Sequence, residues 1–216
     1  METTAAKGLI GLGGLGSIAG GAYSAKPYIF SEKDSIETTL TNNKWEVLKQ
    51  EGQDSLWEEI YNKYKEQELD SPSRFDKTIT KGEDKSTGLP KLKGSCQKAL
   101  SQEFSPSLYR TVTRWCVTPI SAANRLEKLG GYQKINVEET NTTADQTEWT
   151  AKETEFKKAL DKNNSYLGVT LPSSESNQVE ANIKLLKAGC KNHMDKKNYD
   201  DDFEGSMEKV NTWCGK

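Results

Sequence analysis

The sequence predicts a mainly α-helical protein, in which an N-terminal apolar helix precedes two tandem repeated helical units that are each closed by one disulfide. Three observations lead to this fold class: an uncharged N-terminal stretch, a set of residues that recurs at a nearly constant offset, and four cysteines that all follow residue 95. They divide the chain into a signal or membrane anchor at 1–26, a linker at 27–43, unit 1 at 44–118, a connecting helix and linker at 119–147, and unit 2 at 148–216.

The composition allows a core but limits its size. Of the 216 residues, 33% are hydrophobic and 29% are charged. The net charge is −2, so there is no excess of basic residues to neutralise phosphates, and we expect no nucleic-acid partner. The mixture of acidic and basic residues is typical of solvated faces of amphipathic helices.

The first element is the stretch GLIGLGGLGSIAGGAYSA at residues 8–25, which lies between Lys7 and Lys26 and carries no charge. As a helix it would span about 27 Å, slightly less than a typical hydrocarbon core. Gly16 and Gly20 have the spacing that lets membrane helices pack closely, so oligomers through this helix are a further expectation. We interpret the stretch as a membrane anchor; a signal peptide cleaved near Ala25 and a flexible apolar terminus are the alternatives.

The same stretch contains a glycine pattern that can bind nucleotides. Gly11, Gly13 and Gly16 match G-x-G-x-x-G. That fingerprint requires a preceding strand and a βαβ unit, whereas only METTAAKGLI comes before the first of these glycines. The sequence therefore predicts no cofactor.

The remainder of the chain contains an internal repeat. LKGSCQKAL at 92–100 is similar to LKAGCKNHM at 186–194, and each is followed by V-x-x-W-C. Upstream, Trp57 and Trp149 each begin the pattern W-x6-aromatic-Lys. The offsets are 92 residues for these tryptophans, 94 for the first cysteines and 98 for the second. Such self-similarity predicts a duplicated unit with small insertions in its loops.

Helical signals dominate both units. WEEIYNKYKEQEL and WTAKETEFKKAL place apolar residues at helical spacing. Ser105 followed by Pro106 predicts a helix start, and Asp200–Asp202 would favour another. A helix without a partner in the repeat, ISAANRLEKL, would end at Gly130.

The segments between these helices are predicted to be loops, except for one short strand. We predict loops at 70–73, 81–90 and 136–145, and a short strand at 166–171. The tryptophans of the helical stripes are expected to lie in the core.

The cysteines pair most simply within each unit, as Cys96–Cys116 and Cys190–Cys214. Each bond would join two neighbouring helices and stabilise the fold by roughly 3 kcal/mol in the chain-entropy model. Free buried thiols are the alternative. The spacing fits no zinc motif, and His193 is the single histidine, so no metal site is predicted.

No catalytic residues are identified. The sequence has no nucleophile elbow, Walker loop or H-E-x-x-H motif. We therefore expect a protein that is not an enzyme.

The apolar glycine- and alanine-rich N-terminus, the LK[GA][SG]C segments and the V-x-x-W-C endings together resemble a known group. They are similar to paralogous families of membrane-anchored and surface proteins of hemotropic mycoplasmas, for which no activity is established. The resemblance implies a protein of a wall-less bacterium that takes part in antigenic variation or host contact, and it transfers no functional residues.

These observations lead to a hypothesis and two alternatives. The hypothesis is a non-enzymatic protein on the outer face of the cell membrane, or secreted if the signal is cleaved, which serves as a variable antigen or contacts host-cell or plasma components. The alternatives are a membrane-associated enzyme of the hydrolase type with an unrecognised site, and an oligomeric scaffold.

Overall fold

A computed structural model describes residues 34–159, 166–171 and 178–216, and this part of the chain is mainly helical. We call residues 34–118 the first half and the described residues after 118 the second half. The first half contains α1 (Ile36–Asn42), α2 (Asp54–Lys65), α3 (Lys85–Leu100) and α4 (Pro106–Trp115). The second half contains α5 (Ala122–Leu129), α6 (Gln146–Ala159), α7 (Val179–Met194) and α8 (Phe203–Trp213).

Side-chain caps define the starts of several helices. The Ser105 hydroxyl accepts a hydrogen bond from the Leu108 amide at 3.3 Å, and Pro106 occupies the first turn of α4, as the sequence predicts. Ser35 and Ser121 cap α1 and α5 in the same way. Each cap satisfies one of the backbone N–H groups that a helix start leaves without a partner.

Two local predictions are wrong. The predicted loop at 81–90 is half helix, because α3 begins at Lys85 and continues through Pro90. A proline inside a helix removes one backbone hydrogen bond, but burial of Leu92 and Cys96 on the same helix outweighs that loss. The predicted strand at 166–171 is a turn followed by irregular chain in the structure.

The described residues form two hydrophobic cores, one in each half. Trp57, Trp115 and Trp149 are 0% exposed and Trp213 is 7% exposed, which confirms that these tryptophans lie in the core. In the first core Tyr64 meets the Trp115 ring edge-on at 5.1 Å. Edge-on ring pairs add to the stabilisation that comes from burying apolar area.

Each core encloses one disulfide, and the pairing is the predicted one. Cys96 of α3 bonds Cys116, the residue that follows α4, with 5.5 Å between the Cα atoms. Cys190 of α7 bonds Cys214, the residue that follows α8, with 5.6 Å between the Cα atoms. All four cysteines are at most 1% exposed. The described part of the chain has no free cysteine.

The two halves are closed by matching backbone bridges. In the first half, Ser35 bridges Glu103 and Val47 bridges Val117; in the second, Ser121 bridges Lys197 and Lys134 bridges Gly215. In each pair, the first bridge joins the start of the first helix to the loop before the last helix. The second bridge joins the segment between the first two helices to the residue after the disulfide.

The helix contacts match as well. In the first half α1 packs against α3 and α4, and in the second half α5 packs against α7 and α8. Trp57 donates its indole N–H to the Lys49 carbonyl at 2.7 Å, and Trp149 donates to the Asn136 carbonyl at 2.8 Å. The sequence analysis found no counterpart of α5 in the first unit. In the structure, α5 makes the contacts in the second half that α1 makes in the first half.

The predicted N-terminal apolar helix, with Gly16 and Gly20, lies outside the described residues. Within the described ranges, no helix has both the length and the apolar character that crossing a membrane requires.

Two glycines of α3 provide a matched test of helix packing. A methyl group at Gly88 would lie 2.3 Å from the Tyr61 hydroxyl oxygen, whereas at Gly94 it would meet no atom within 4 Å. Tyr61 is held in place because its hydroxyl donates to the Glu83 carbonyl at 2.8 Å. We expect Gly88→Ala to lower the free energy of unfolding by about 1–3 kcal/mol. Gly94→Ala should raise it by up to about 1 kcal/mol. Urea denaturation measures both, and equal midpoints for the two variants would contradict this packing.

Candidate functional site

The two halves differ in length between their cysteines, in a segment that lies where the halves meet. The cysteines of the first pair are 20 residues apart and those of the second pair are 24 apart. Glu103 and Lys197 make equivalent bridges, and each lies seven residues after the first cysteine of its half. The second half therefore has four additional residues between Lys197 and Cys214, most of them before α8. We call residues 198–201, which lie in this longer segment, the insert.

Asn198 of the insert joins the two halves through its side-chain amide. Its Nδ2 donates to the Thr113 carbonyl at 2.8 Å and to the Arg114 carbonyl at 3.3 Å. Its Oδ1 accepts from the Ile120 amide at 2.8 Å. The residue is 5% exposed, so these bonds use polar groups that water does not reach.

Tyr199 of the insert belongs to the core of the first half. It is 8% exposed and packs within that cluster, and its hydroxyl donates to Glu59 Oε1 at 2.7 Å. Burial raises the pKa of Tyr199 above its usual value, and the nearby Glu59 carboxylate raises it further. The hydroxyl is therefore protonated at neutral pH and serves as the hydrogen-bond donor.

Arg114 of α4 completes this contact. Its Nε donates to the Tyr199 carbonyl at 3.0 Å, one terminal nitrogen donates to Ser73 Oγ at 3.3 Å, and the other pairs with Asp201. The guanidinium also lies 4.8 Å from the centroid of the Trp115 ring. One face of this planar cation lies against Trp115, and its N–H groups hold the insert against α4.

A second arginine crosses between the halves in the opposite direction. Arg125 of α5 donates to the Lys44 carbonyl at 3.1 Å and to the Asn43 carbonyl at 2.7 Å. Its guanidinium lies 3.8 Å from the centroid of the Trp45 ring. Because Asn43 follows α1, the positive charge lies at the end of that helix where it is most favourable.

A cleft of about 410 Å³ opens between α4 and the insert, and we call it the junction cleft. Ser107, Arg110, Thr111, Thr113 and Arg114 form the α4 wall. Asn198, Asp200, Asp201, Phe203 and Glu204 form the opposite wall. Trp45, Pro72 and Ser73 complete the lining. The volume falls in the range of small-molecule sites.

The two walls of the junction cleft carry opposite charges. Three carboxylates lie on the insert side and two guanidinium groups on α4. Arg114 is neutralised by Asp201, and Asp200 accepts from the Lys197 amide at 2.8 Å. Arg110 and Glu204 are exposed and form no hydrogen bond or ion pair through their side chains with any residue that the structure describes. The cleft therefore offers one unused positive group and one unused negative group.

A serine–histidine contact lies elsewhere, between α7 and α8. His193 Nδ1 is 2.8 Å from Ser206 Oγ, and the same hydroxyl is 3.4 Å from Asp202 Oδ2. Ser206 is 0% exposed and His193 is 5% exposed, so no substrate reaches the hydroxyl in this conformation. Burial lowers the pKa of His193, and Lys209 and Lys196 lower it too, while Asp202 opposes them. The contact is that of a neutral imidazole packed in a helix interface.

The four predicted cysteines are brought together in two pairs, and the predicted helix-packing glycines, Gly16 and Gly20, fall outside the described residues. The described residues also contain no group of three or more His, Cys, Asp or Glu side chains arranged to hold a metal ion.

The sequence analysis missed the junction cleft and the insert. The signal was present as the change of offset from 94 to 98, which marks an insertion between the two cysteines of the second unit.

Known proteins provide no further assignment. Comparison with protein-family models, with curated proteins and with solved structures finds no match.

Removing the Asn198 side chain should weaken the contact between the halves. In Asn198→Ala the Ile120 amide and the Thr113 carbonyl lose their buried partner, and we expect the free energy of unfolding to fall by about 1–3 kcal/mol. Asn192→Ala is the matched control, because Asn192 is exposed on α7. Guanidinium denaturation of both variants measures the difference, and an unchanged midpoint for Asn198→Ala would show that the contact contributes nothing.

His193 should make the stability depend on pH in a defined window. Its pKa in the folded state lies below the usual 6.5, so the unfolded chain binds the proton more readily. The contribution is complete above pH 6.5 and is lost as the pH falls through the folded-state value. We expect the free energy of unfolding to fall more steeply between pH 7 and pH 5 in the unmodified protein than in His193→Asn, which cannot titrate there. Parallel slopes for the two proteins would refute this assignment.

Proposed function

We propose that this chain is an exported, non-enzymatic contact protein, held at the outer face of the cell membrane or secreted, that presents a rigid disulfide-bonded helical body. The observation that carries the proposal is that each half encloses a disulfide in its core. Disulfides form and persist in oxidising surroundings, and they are rare where glutathione and thioredoxin keep thiols reduced. A fold that includes two of them at its centre is suited to the exterior of the cell.

We further propose that the body consists of two copies of one four-helix unit. The matching bridges, the matching indole hydrogen bonds and the disulfides at equivalent places support this division. The copies would be residues 34–118 and 119–216, so that α5 opens the second copy in the way that α1 opens the first. This differs from the division based on sequence, in which α5 belonged to the connection between the units.

The arrangement suits a surface antigen or a host-contact protein of the kind that the resemblance to hemotropic mycoplasma families implies. The tryptophans and disulfides hold the framework, and most residues of the 66–84 loop lie outside it, whereas Arg74 and Ile79 of that loop are buried. Substitutions at the exposed positions of such a loop leave the buried contacts intact, so sequence variation is tolerated there.

The hydrolase alternative receives no support from the one serine–histidine contact, because that pair is buried. We therefore do not propose an enzyme. The scaffold alternative depends on Gly16 and Gly20, and the described residues supply no observation in its favour.

Brief trypsin treatment of intact cells that make the protein tests its location. Lys77 and Lys81 are exposed in the 66–84 loop, so we expect cleavage there without lysis. A cytoplasmic marker protein must remain uncut in the same sample. Cleavage only after lysis would overturn the proposed location.

The oxidation state provides the second measurement. Cells are quenched with acid and free thiols are alkylated before digestion without reductant. We expect peptides joined through Cys96–Cys116 and through Cys190–Cys214. Alkylated cysteines in freshly quenched cells would contradict an oxidising location.

A further inference from the structure

We infer that the junction cleft binds a dipolar peptide segment, one that carries a carboxylate and a basic side chain close together. The inference deepens the proposed function, because it names the chemistry of what the contact protein binds, and it rests on that function only for where the ligand is met.

The first support is the position and size of the cleft. Its volume of about 410 Å³ is at the lower end of the range for small ligands, which is suitable for a few side chains rather than for a large cofactor. Most of its lining comes from α4 and from the segment 198–204, and Trp45, Pro72 and Ser73 supply the rest. A ligand in it would contact both halves at once.

The second support is that the walls are held in place before any ligand arrives. Asn198 and Tyr199 fasten the insert through buried hydrogen bonds, and Arg114 ties it to α4. Thr111 and Thr113 on the opposite wall are only 6% and 8% exposed. Prearranged walls reduce the free-energy cost of ordering on binding.

The third support is the charge that remains once the internal pairs are counted. Arg114 and Asp201 satisfy each other, which leaves Arg110 on α4 and Glu204 at the start of α8. A carboxylate opposite Arg110 forms a charge-assisted hydrogen bond, and a guanidinium or ammonium group opposite Glu204 forms another. The second oxygen of Asp200 adds negative charge on the Glu204 side.

The remaining lining suits the stem that joins the two charges. Trp45 and Pro72 contribute apolar surface to the cleft. The Trp45 indole N–H is already used, because it donates to the Tyr109 hydroxyl at 3.1 Å. One face of the ring lies against Arg125, so the remaining surface of the ring serves for packing an aliphatic stem and not for further hydrogen bonding.

A peptide titration tests the inference on the purified, oxidised full chain. The probes are acetyl-Ala-Arg with a free carboxylate and acetyl-Asp-Ala-Arg-amide, which distinguish a terminal from a side-chain carboxylate. Acetyl-Asn-Ala-Arg-amide has no carboxylate and is the control. The readout is the indole N–H signal of Trp45 in a proton–nitrogen correlation spectrum, assigned with Trp45→Phe. We expect one carboxylate probe to shift this signal with saturation below about 10 mM.

Single substitutions then assign the charges. Arg110→Gln should weaken binding of the carboxylate probe about two- to fivefold and leave the control peptide unaffected. Glu204→Gln should weaken every probe that contains arginine by a similar factor. Lys98→Gln removes an exposed charge outside the cleft and should change nothing. The signals of the four buried indoles show whether each variant is folded.

The outcomes separate this inference from the proposed location. Absence of a Trp45 shift with both carboxylate probes overturns the binding inference and leaves export untouched. Equal binding of the carboxylate probes and the control, or equal affinity in Arg110→Gln, also overturns it. Cleavage only after lysis would overturn the location while leaving the peptide site in place.

Discussion

One cysteine at the end of a helix holds each half of this protein together. Cys116 is bonded through its sulfur to α3, and its carbonyl accepts from the Leu48 amide at 3.0 Å. Cys214 is bonded to α7 in the same way, and its carbonyl accepts from the Tyr132 hydroxyl at 2.8 Å. A single residue thus joins the last helix, the third helix and the segment before the second helix, and a small core gains most from such a covalent link.

The junction between the halves depends on one side-chain amide and two guanidinium groups, whose hydrogen-bonding atoms nearly all have partners. Asn198 and Arg125 each donate to two backbone carbonyls of the other half. Arg114 donates to the Tyr199 carbonyl and pairs with the Asp201 carboxylate. Buried donors of this kind tolerate little change of angle or distance, because a lost partner costs more than a made bond contributes. The cleft takes its shape from this rigidity, since the insert is one of its walls.

The disulfides, the matching halves and the cleft support the proposals made above. Covalent closure suits the export that we propose, and the matching bridges suit the duplication that we propose. The longer segment before α8 forms one wall of the surface at which we propose that a peptide binds. Because the other wall is α4, the proposed binding site belongs to both halves and to neither one alone.

The sequence by itself determined the helical class, the cysteine pairs, the buried tryptophans and the start of α4, because these follow from local periodicity, capping and the spacing of matched residues. Only the tertiary structure decided that α3 continues through Pro90, that residues 166–171 form no strand, and that α5 packs as α1 does. It also decided the junction cleft, whose walls join parts of the chain that are distant in sequence, such as Arg114 and Tyr199, 85 residues apart. Local signals carry backbone preference, whereas long-range packing decides which preferences prevail and which side chains meet.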